Sequence, residues 1–217
     1  MVVWPIFNLS FISARSERQA VNREAWVALL DMPKTKADVS VENVVASATL
    51  HQSLDLDAIV RNFSNVEYDP DQFPGLVFRL KKPKTATLLF GSGKMVCTGA
   101  KSEAQVRKAI RKVAEELKRG GMVILREPEI QIQNIVASAA LHGRIDLEAC
   151  VYQLGRSMYE PEQFPGLIYR MEDPKVVILI FATGKLVCTG ARKENDVYTA
   201  VNKLHEALEK EGLIFYE

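Results

Sequence analysis

The stretch LLFGSGKMVCTGA, which runs from Leu88 to Ala100, decides how this chain is read. Its GSGK core is similar to a glycine-rich loop that holds phosphate. A near copy, LIFATGKLVCTGA, occupies Leu179–Ala191. A phosphate loop of the Walker type needs GxxxxGK[ST] followed by a helix. Met95 and Leu186 follow the two lysines instead, and the residues after them are typical of a strand. Both copies therefore predict a hairpin rather than a nucleotide site.

The duplication extends through most of the chain. An offset of 91 residues aligns 41–126 with 132–217 without a gap, and 37 of the 86 aligned pairs are identical. VENVVASATLH matches IQNIVASAALH, and DPDQFPGLVFRL matches EPEQFPGLIYRM. Two long repeats are not a solenoid, which needs at least about three short ones. The sequence therefore predicts a pseudo-twofold molecule with a first repeat at 38–131 and a second at 132–217.

The composition is that of an ordinary globular protein. The 217 residues are 47% hydrophobic and 25% charged, with a net charge of +1. Cys97, Cys150 and Cys188 have neither disulfide-framework nor zinc-ligand spacing, which predicts reduced thiols and an intracellular protein. No stretch approaches the roughly 20 apolar residues of a membrane-spanning helix. We expect no metal, no cofactor and no membrane association.

The first residues read differently from the repeats. MVVWPIFNLSFISA leans apolar but lacks the positively charged start of a signal peptide. We expect residues 1–37 to form an extension outside the fold. Met32 is an alternative start, since MPKTKADVSVEN reads as a polar lead-in to a first strand.

Each repeat predicts the same order of elements, which belongs to the α+β class. Val41–Leu50 alternates as a strand, and Asp55 is a predicted N-cap of a short helix. The FPGL turn then leads into several antiparallel strands. Lys101–Arg119 has the apolar spacing of an amphipathic helix that ends at Gly120-Gly121. We expect the long helix to cover one face of the sheet.

Strand alternation assigns side chains to the other face. In the first strand, one face carries Asn43, Val45, Ser47 and Thr49, and the other face carries Val44, Ala46, Ala48 and Leu50. In KMVCT, one face carries Lys94, Val96 and Thr98, and the other face carries Met95 and Cys97. Two interpretations remain open at this point. Either both faces are covered and the polar groups are satisfied internally, or the mixed face is a large binding surface.

The repeated blocks resemble the TATA-box-binding protein family of general transcription factors. The motifs QNIVAS, EPEQFPGLIYR and SGKMVCTGAKSE together are specific, and the resemblance covers about residues 39–217. It implies a saddle with a curved ten-stranded antiparallel sheet, whose concave face sits on the DNA minor groove, and four helices on the convex side. The chain resembles archaeal members in two features: the high similarity between its halves, and the acidic residues before each FPGL turn. No enzyme activity is implied.

The resemblance also implies roles for matching residues. The DNA-kinking wedges are Phe73, Phe90, Phe164 and Phe181. Minor-groove contacts fall to Asn43, Asn134, Val45, Val136, Val96, Val187, Thr98, Thr189, Leu88 and Leu179. Phosphate contacts fall to Arg79, Arg170, Lys94 and Lys185. Insertion of such apolar wedges between base steps, which kinks the duplex from the minor groove, is a general property of this family.

Partners and location are implied in the same way. The resemblance implies binding to TATA-box DNA and to transcription factor B, with Glu160 and Glu162 as the contacts to that factor, and RNA polymerase recruited indirectly. It leaves open a weak homodimer of the free protein. An archaeal protein would act in the cytoplasm at the nucleoid, and a eukaryotic one in the nucleus. The alternative function is a protein-interaction scaffold without sequence-specific DNA binding.

Charge is divided unequally between the repeats. Residues 41–131 hold 14 Lys+Arg and 11 Asp+Glu, a net charge of +3, whereas residues 132–217 hold 9 and 12, a net charge of −3. A nearly neutral DNA-binding protein must gain its attraction to phosphate from local arrangement. The basic residues of 101–119 are interpreted either as a solvated helix face or as a contact to upstream DNA or a regulator.

Overall fold

The computed structural model describes residues 36–216. The expected extension at 1–37 and the alternative start at Met32 therefore lie outside the described residues, apart from the last two positions of the extension. The first repeat contains β1 (Asp38–Thr49), α1 (Leu56–Asn62), β2 (Val66–Glu67), β3 (Gly75–Lys81), β4 (Lys84–Phe90), β5 (Lys94–Ala100) and α2 (Glu103–Arg119). The second contains β6 (Glu129–Ala140), β7 (Arg144–Ile145), α3 (Leu147–Gln153), β8 (Ser157–Met158), β9 (Gly166–Met171), β10 (Val176–Phe181), β11 (Lys185–Ala191), α4 (Glu194–Lys210) and β12 (Ile214–Phe215).

Ten strands form one antiparallel sheet in the order β2-β3-β4-β5-β1-β6-β11-β10-β9-β8. The expected fold class, with ten strands, two repeats and four helices in the described part of the chain, is confirmed. A small second sheet joins β12 to β7 and was not expected. In the first repeat a side chain takes its place, since Gln52 Nε2 donates to the carbonyl of Val123 at 2.6 Å and Gln52 Oε1 accepts from the N–H of Leu125 at 2.9 Å.

Local signals in the sequence place the helix ends. Asp55 caps α1 by accepting from the N–H of Ala58 at 2.9 Å, as predicted. Ser102 caps α2 by accepting from the N–H of Gln105 at 3.1 Å. The helix ends at Gly120, and Gly121 follows with φ of 87°, a left-handed conformation that glycine adopts without strain. Each cap satisfies backbone groups that the helix itself leaves unpaired.

The core lies between one face of the sheet and the helices, and we name this the helix-covered face. Its strand residues include Val44, Ala46, Ala48, Met95, Cys97, Ile135, Ala137, Leu186 and Cys188, all buried. The buried stripe of α2 packs against it, as the helical spacing predicted. The thiols act as small apolar groups: burial raises the pKa of Cys150 and of Cys188 to about 11.

The opposite side of the sheet, which we name the open face, alternates with this core and remains half-buried. Val45, Ser47, Thr49, Val96 and Thr98 all lie on it, as the alternation predicted. No described helix packs on this face, because the α2 and α4 contacts fall on the buried residues of the strands. Within residues 36–216, the sheet therefore presents a wide surface that no described helix covers.

The two repeats are joined through their first strands. β1 and β6 pair antiparallel from Asp38 opposite Ala140 to Thr49 opposite Glu129. An imidazole closes each end of this seam. His51 Nε2 lies 3.0 Å from the Glu129 carboxylate, and His142 Nε2 lies 2.8 Å from that of Asp38. These contacts give both histidines a structural role at the ends of the seam.

The long helices also meet across the pseudo-twofold axis. The N–H of Glu103, at the start of α2, donates to Glu194 Oε1 at 2.6 Å. The N–H of Glu194, at the start of α4, donates to Glu103 Oε1 at 2.8 Å. Each helix therefore receives its N-terminal carboxylate from the other repeat, which is favourable because the N-terminus carries partial positive charge.

The second glycine of GSGK, Gly93, has a structural role that predicts how its substitution changes stability. Gly93 has φ of 78°, and a Cβ there would lie 1.9 Å from the carbonyl oxygen of Gln52. We expect Gly93→Ala to lower the free energy of unfolding by at least about 2 kcal/mol. Gly121→Ala is the matched control, since its φ is 87° with no atom within 4 Å of the added Cβ, and we expect it to cost about 1 kcal/mol. Urea unfolding measures both, and equal losses would contradict this role.

Candidate nucleic-acid interface

Two asparagines lie at the centre of the open face. Asn43 Oδ1 accepts from the N–H of Gly99 at 2.8 Å, and Asn43 Nδ2 donates to Thr98 Oγ at 3.0 Å. Asn134 repeats the arrangement with Gly190 at 2.8 Å and Thr189 at 3.3 Å. The backbone N–H fixes which end of each amide faces inward. Since an amide nitrogen carries two hydrogens, one donor of each asparagine remains to face a ligand.

A bulge makes this arrangement possible. β5 pairs with β1 through Cys97 opposite Ala46 and then Ala100 opposite Val44, so two residues of β5 lie against one residue of β1, and β5 carries one extra residue. Gly99 in that bulge has φ of 94°. Its N–H leaves the regular ladder and reaches Asn43. The sequence signal for this was the duplicated TGA motif, which sequence reasoning interpreted only as part of a strand.

Aliphatic side chains form the floor of the open face on both sides of the asparagines. In the first repeat Val96 lies opposite Leu88 on β4 and opposite Ser47 on β1. In the second, Val187 lies opposite Leu179 and Ser138. Val45 and Val136 continue this floor across the seam and are half-buried. The predicted minor-groove residues are thus brought together on one continuous surface.

A pair of phenylalanine rings closes each half of the surface. The ring centroids of Phe73 and Phe90 lie 5.9 Å apart at an interplanar angle of 66°. Those of Phe164 and Phe181 lie 5.8 Å apart at the same angle, 66°. Edge-to-face packing of this kind holds each ring in place. Gly75 explains the glycine of FPGL, since a Cβ there would lie 2.5 Å from Phe73 and 3.0 Å from Phe90.

The predicted phosphate ligands are exposed but differ between repeats. Arg79 makes two hydrogen bonds to Glu67, at 2.8 and 3.0 Å. Arg170, its equivalent, makes no ion pair within residues 36–216. Lys94 and Lys185 are exposed at the starts of β5 and β11.

Sequence reasoning missed two further cations. Lys84 begins β4 and, by alternation, shares the open face with Leu88. Lys175 is its repeat equivalent, immediately before β10. The alternation of TATLLF, extended by one residue, would have found Lys84.

The exposed turn before β9 holds the predicted partner contacts. The main-chain carbonyl of Glu160 accepts from the N–H groups of Gln163 and Phe164 at 3.0 and 2.9 Å, which fixes the turn. The carboxylates of Glu160 and Glu162 have no hydrogen-bond partner within the described residues. They are therefore available to another molecule.

The described part of the chain also bears on metal binding, phosphate-loop binding and membrane crossing. Residues 36–216 contain no group of three or more His, Cys, Asp or Glu side chains able to hold a metal. The GSGK turn leads into strand β5 rather than a helix, which removes the helix N-terminus that a phosphate loop requires. None of the described helices is long and apolar enough to cross a membrane.

Comparisons with known proteins agree with this architecture. The model of the family "Transcription factor TFIID (or TATA-binding protein, TBP)" matches residues 38–120 and 129–211. A TATA-box-binding protein of Sulfurisphaera tokodaii is 58% identical over 173 residues, covering 80% of this chain and 87% of the relative. One of Pyrobaculum aerophilum is 53% identical over 177 residues, covering 82% and 89%. The solved structure of the Methanococcus jannaschii TBP is 45% identical, with a TM-score of 0.72, covering 80% of this chain and 99% of that chain.

Fold and comparisons together define the class of DNA-binding general transcription factors built from two repeats. More specifically, the chain belongs to the TATA-binding protein family. The resemblance noted in the sequence is thereby confirmed, including its archaeal character, since these relatives are archaeal.

The inward-facing amide oxygen of Asn43 predicts a difference between two substitutions. Asn43→Ala leaves the N–H of Gly99 without its acceptor, and we expect a loss of about 1 kcal/mol in the free energy of unfolding. Asn43→Asp keeps an oxygen at that position, and we expect a smaller loss. Urea unfolding at neutral pH compares the two. Equal losses would contradict the assigned orientation of the amide.

Proposed function

We propose that the open face binds the minor groove of TATA-box DNA, that its phenylalanine pairs kink the duplex, and that the complex recruits transcription factor B and, through it, RNA polymerase. The site residues named from the sequence keep their proposed roles. We also propose that the two repeats span 38–131 and 132–217, with 1–37 outside the fold. Such a protein would act at the chromosome, in the cytoplasm of an archaeal cell.

The observation that carries this proposal is the symmetric placement of two aromatic pairs at opposite halves of one apolar sheet face. Phe73 is 44% exposed although it is a large apolar side chain. An exposed aromatic pair held by edge-to-face packing is suited to enter between base steps. The cost is a few kcal/mol of unstacking per step, which wider contact along the bent groove offsets.

Selectivity follows from the donors and methyl groups between those ends. The minor groove presents acceptors for both A·T and T·A, whereas G·C adds an amino donor. The outward hydrogens of Asn43 and Asn134 suit those acceptors. Val45, Val96 and their equivalents offer only methyl groups, against which a guanine amino group would remain unpaired. Deformable TA steps would add selectivity through the energy of bending.

Removal of the proposed wedges tests this function. We expect Phe90→Ala and Phe181→Ala each to weaken binding to a TATA duplex by about tenfold or more and to reduce its bend, because the ring that separates the base step is lost. Fluorescence transfer between the duplex ends measures the bend, and titration measures the affinity. Phe215→Ala is the matched control, since Phe215 is 58% exposed on β12 outside the ten-stranded sheet.

Two outcomes would count against the proposal. Normal bending by both wedge variants would show that the rings are not the wedges. Equal binding of the unaltered protein to TATA and G·C-substituted duplexes would favour the alternative, a protein-interaction scaffold without sequence-specific DNA binding.

The partner proposal rests on the carboxylates of Glu160 and Glu162, which have no hydrogen-bond partner among residues 36–216. We expect the double variant Glu160→Lys, Glu162→Lys to weaken the ternary complex with transcription factor B and DNA by about tenfold, without weakening binary DNA binding. Asp69→Lys with Asp71→Lys, at the equivalent first-repeat turn, is the control. Gel-shift titration with purified transcription factor B measures both. Unchanged recruitment by the Glu160, Glu162 variant would refute the assignment.

A further inference from the structure

The two halves of the open face differ in the residues beside their cations. Arg79 on β3 and Arg170 on β9 are repeat equivalents, as are Glu67 on β2 and Met158 on β8. The first repeat therefore places a carboxylate beside its arginine, where the second places a thioether. Because the two arginines occupy equivalent positions, the effect of a neighbouring carboxylate on an arginine can be compared within one molecule.

The Glu67 carboxylate engages Arg79 through two hydrogen bonds. Nε donates to Oε1 at 2.8 Å and Nη2 donates to Oε2 at 3.0 Å. Glu67 lies opposite Val77, which places it on the open face beside Arg79. Hydrogen bonding to Arg79, and then its charge, hold the pKa of the Glu67 carboxyl below its usual value, so the carboxylate is ionised at neutral pH. The local net charge of this pair is zero.

Arg170 has no such partner within the described part of the chain. Met158 is 48% exposed beside it and carries no charge. Arg170 lines an open groove of about 900 Å³ at the outer part of the second repeat. The charged residues of this groove are the four cations Arg156, Arg170, Lys175 and Arg192 and the two acids Glu172 and Asp196. Glu172 is already paired with Arg156. The groove therefore keeps an excess of positive charge.

A second pair of equivalent positions differs in the same direction. Lys101 Nζ donates to Glu42 Oε2 at 2.7 Å in the first repeat. The equivalent positions in the second repeat hold Arg192 and Gln133, and Gln133 donates to Ser47 instead. Arg192 makes no ion pair within residues 36–216. At these two pairs of equivalent positions, 79/170 and 101/192, the first repeat neutralises its cation and the second, within the described residues, does not. The turn after β3 differs in the opposite direction, since Lys81 and Lys82 align with Glu172 and Asp173.

The difference between these local charges is opposite in sign to the difference between the net charges of the two repeats. Residues 41–131 carry a net charge of +3 and residues 132–217 a net charge of −3. Screening at physiological salt limits charge interactions to about 8 Å, so phosphates respond to the cations beside them rather than to the repeat as a whole. Most of the extra positive charge of the first repeat is on α2, on the helix-covered side of the sheet.

We infer that Glu67 is a specificity-determining residue: it weakens the hold of the first repeat on DNA phosphate, so that the second repeat is the stronger anchor and sets the orientation of the protein on a nearly symmetric element. The inference rests on the proposed DNA binding and adds to it a physical cause for the direction in which the protein lies on the DNA. Exchange of residues 67 and 158 between the repeats should then exchange the anchor.

A duplex whose ends differ only in charge tests this directly. The probe is a palindromic TATATATA element in which the phosphates at one end are replaced by neutral methylphosphonates. An acceptor dye is attached at Tyr152→Cys, which is 88% exposed on α3, while the native cysteines are buried. A donor dye is placed on the charged or on the neutral end in separate samples. Arg61→Cys, the repeat equivalent on α1, provides the mirrored label.

We expect the second repeat to occupy the charged end in about four of five complexes, since one unit charge about 5 Å from a phosphate changes binding about fourfold in water. Glu67→Met combined with Met158→Glu should reverse this preference. Glu67→Met alone should steepen the slope of log K against log salt by about 0.9, and Met158→Glu should reduce it equally. Glu67→Gln, which keeps the side-chain shape, should act like Glu67→Met.

The possible results separate the two proposals. Tight binding with both orientations equally populated, or a preference unchanged by the exchange, would overturn the inference and leave the proposed function standing. Failure to bind even the unmodified palindrome would overturn the proposed function, and the inference with it.

Discussion

The antiparallel pairing of β1 with β6 is the constraint on which the rest of the molecule depends. It joins two copies of one repeat into a single ten-stranded sheet, with pairing from Asp38–Ala140 to Thr49–Glu129. Because side chains alternate along a strand, fixing this register fixes which residues of both repeats share the open face. A slip of one residue would bury Asn43 and Asn134 and expose the core. The imidazole–carboxylate contacts at the ends of the seam, and the exchanged helix caps of Glu103 and Glu194, support the same register.

A ligand for this face would meet groups that are already oriented. The amide oxygens of both asparagines are held by glycine N–H groups at 2.8 Å, so each nitrogen keeps a donor toward the open side. The phenylalanine pairs are packed against each other beside Gly75 and Gly166, where no side chain would fit. Ordered groups lose little entropy on binding. Binding energy is then available for deforming the duplex, which the proposed function requires.

Much of this was readable from the sequence, and the reasons for the exceptions are physical. Period-two alternation placed Val45, Ser47 and Val96 on the open face, and the capping role of Asp55 was also correct. The Gly99 bulge was missed because an extra strand residue leaves no periodic signal. The β12–β7 pair was missed because two-residue strands have no pattern. The Arg79–Glu67 pair joins positions 12 residues apart on neighbouring strands, and only the register of β2 on β3 brings them together.

The most direct test of the account is to change the bases while keeping the minor groove. Inosine·cytosine pairs present the same minor-groove groups as A·T pairs, because inosine lacks the guanine amino group, but they present a different major groove. The measurement is the affinity for a TATA duplex with every A·T pair replaced by inosine·cytosine, beside the TATA and G·C duplexes. If the protein reads the minor groove, its affinity for the inosine duplex should be within a few fold of that for the TATA duplex and far above that for the G·C duplex. Binding of the inosine duplex as weak as that of the G·C duplex would contradict readout through the minor groove.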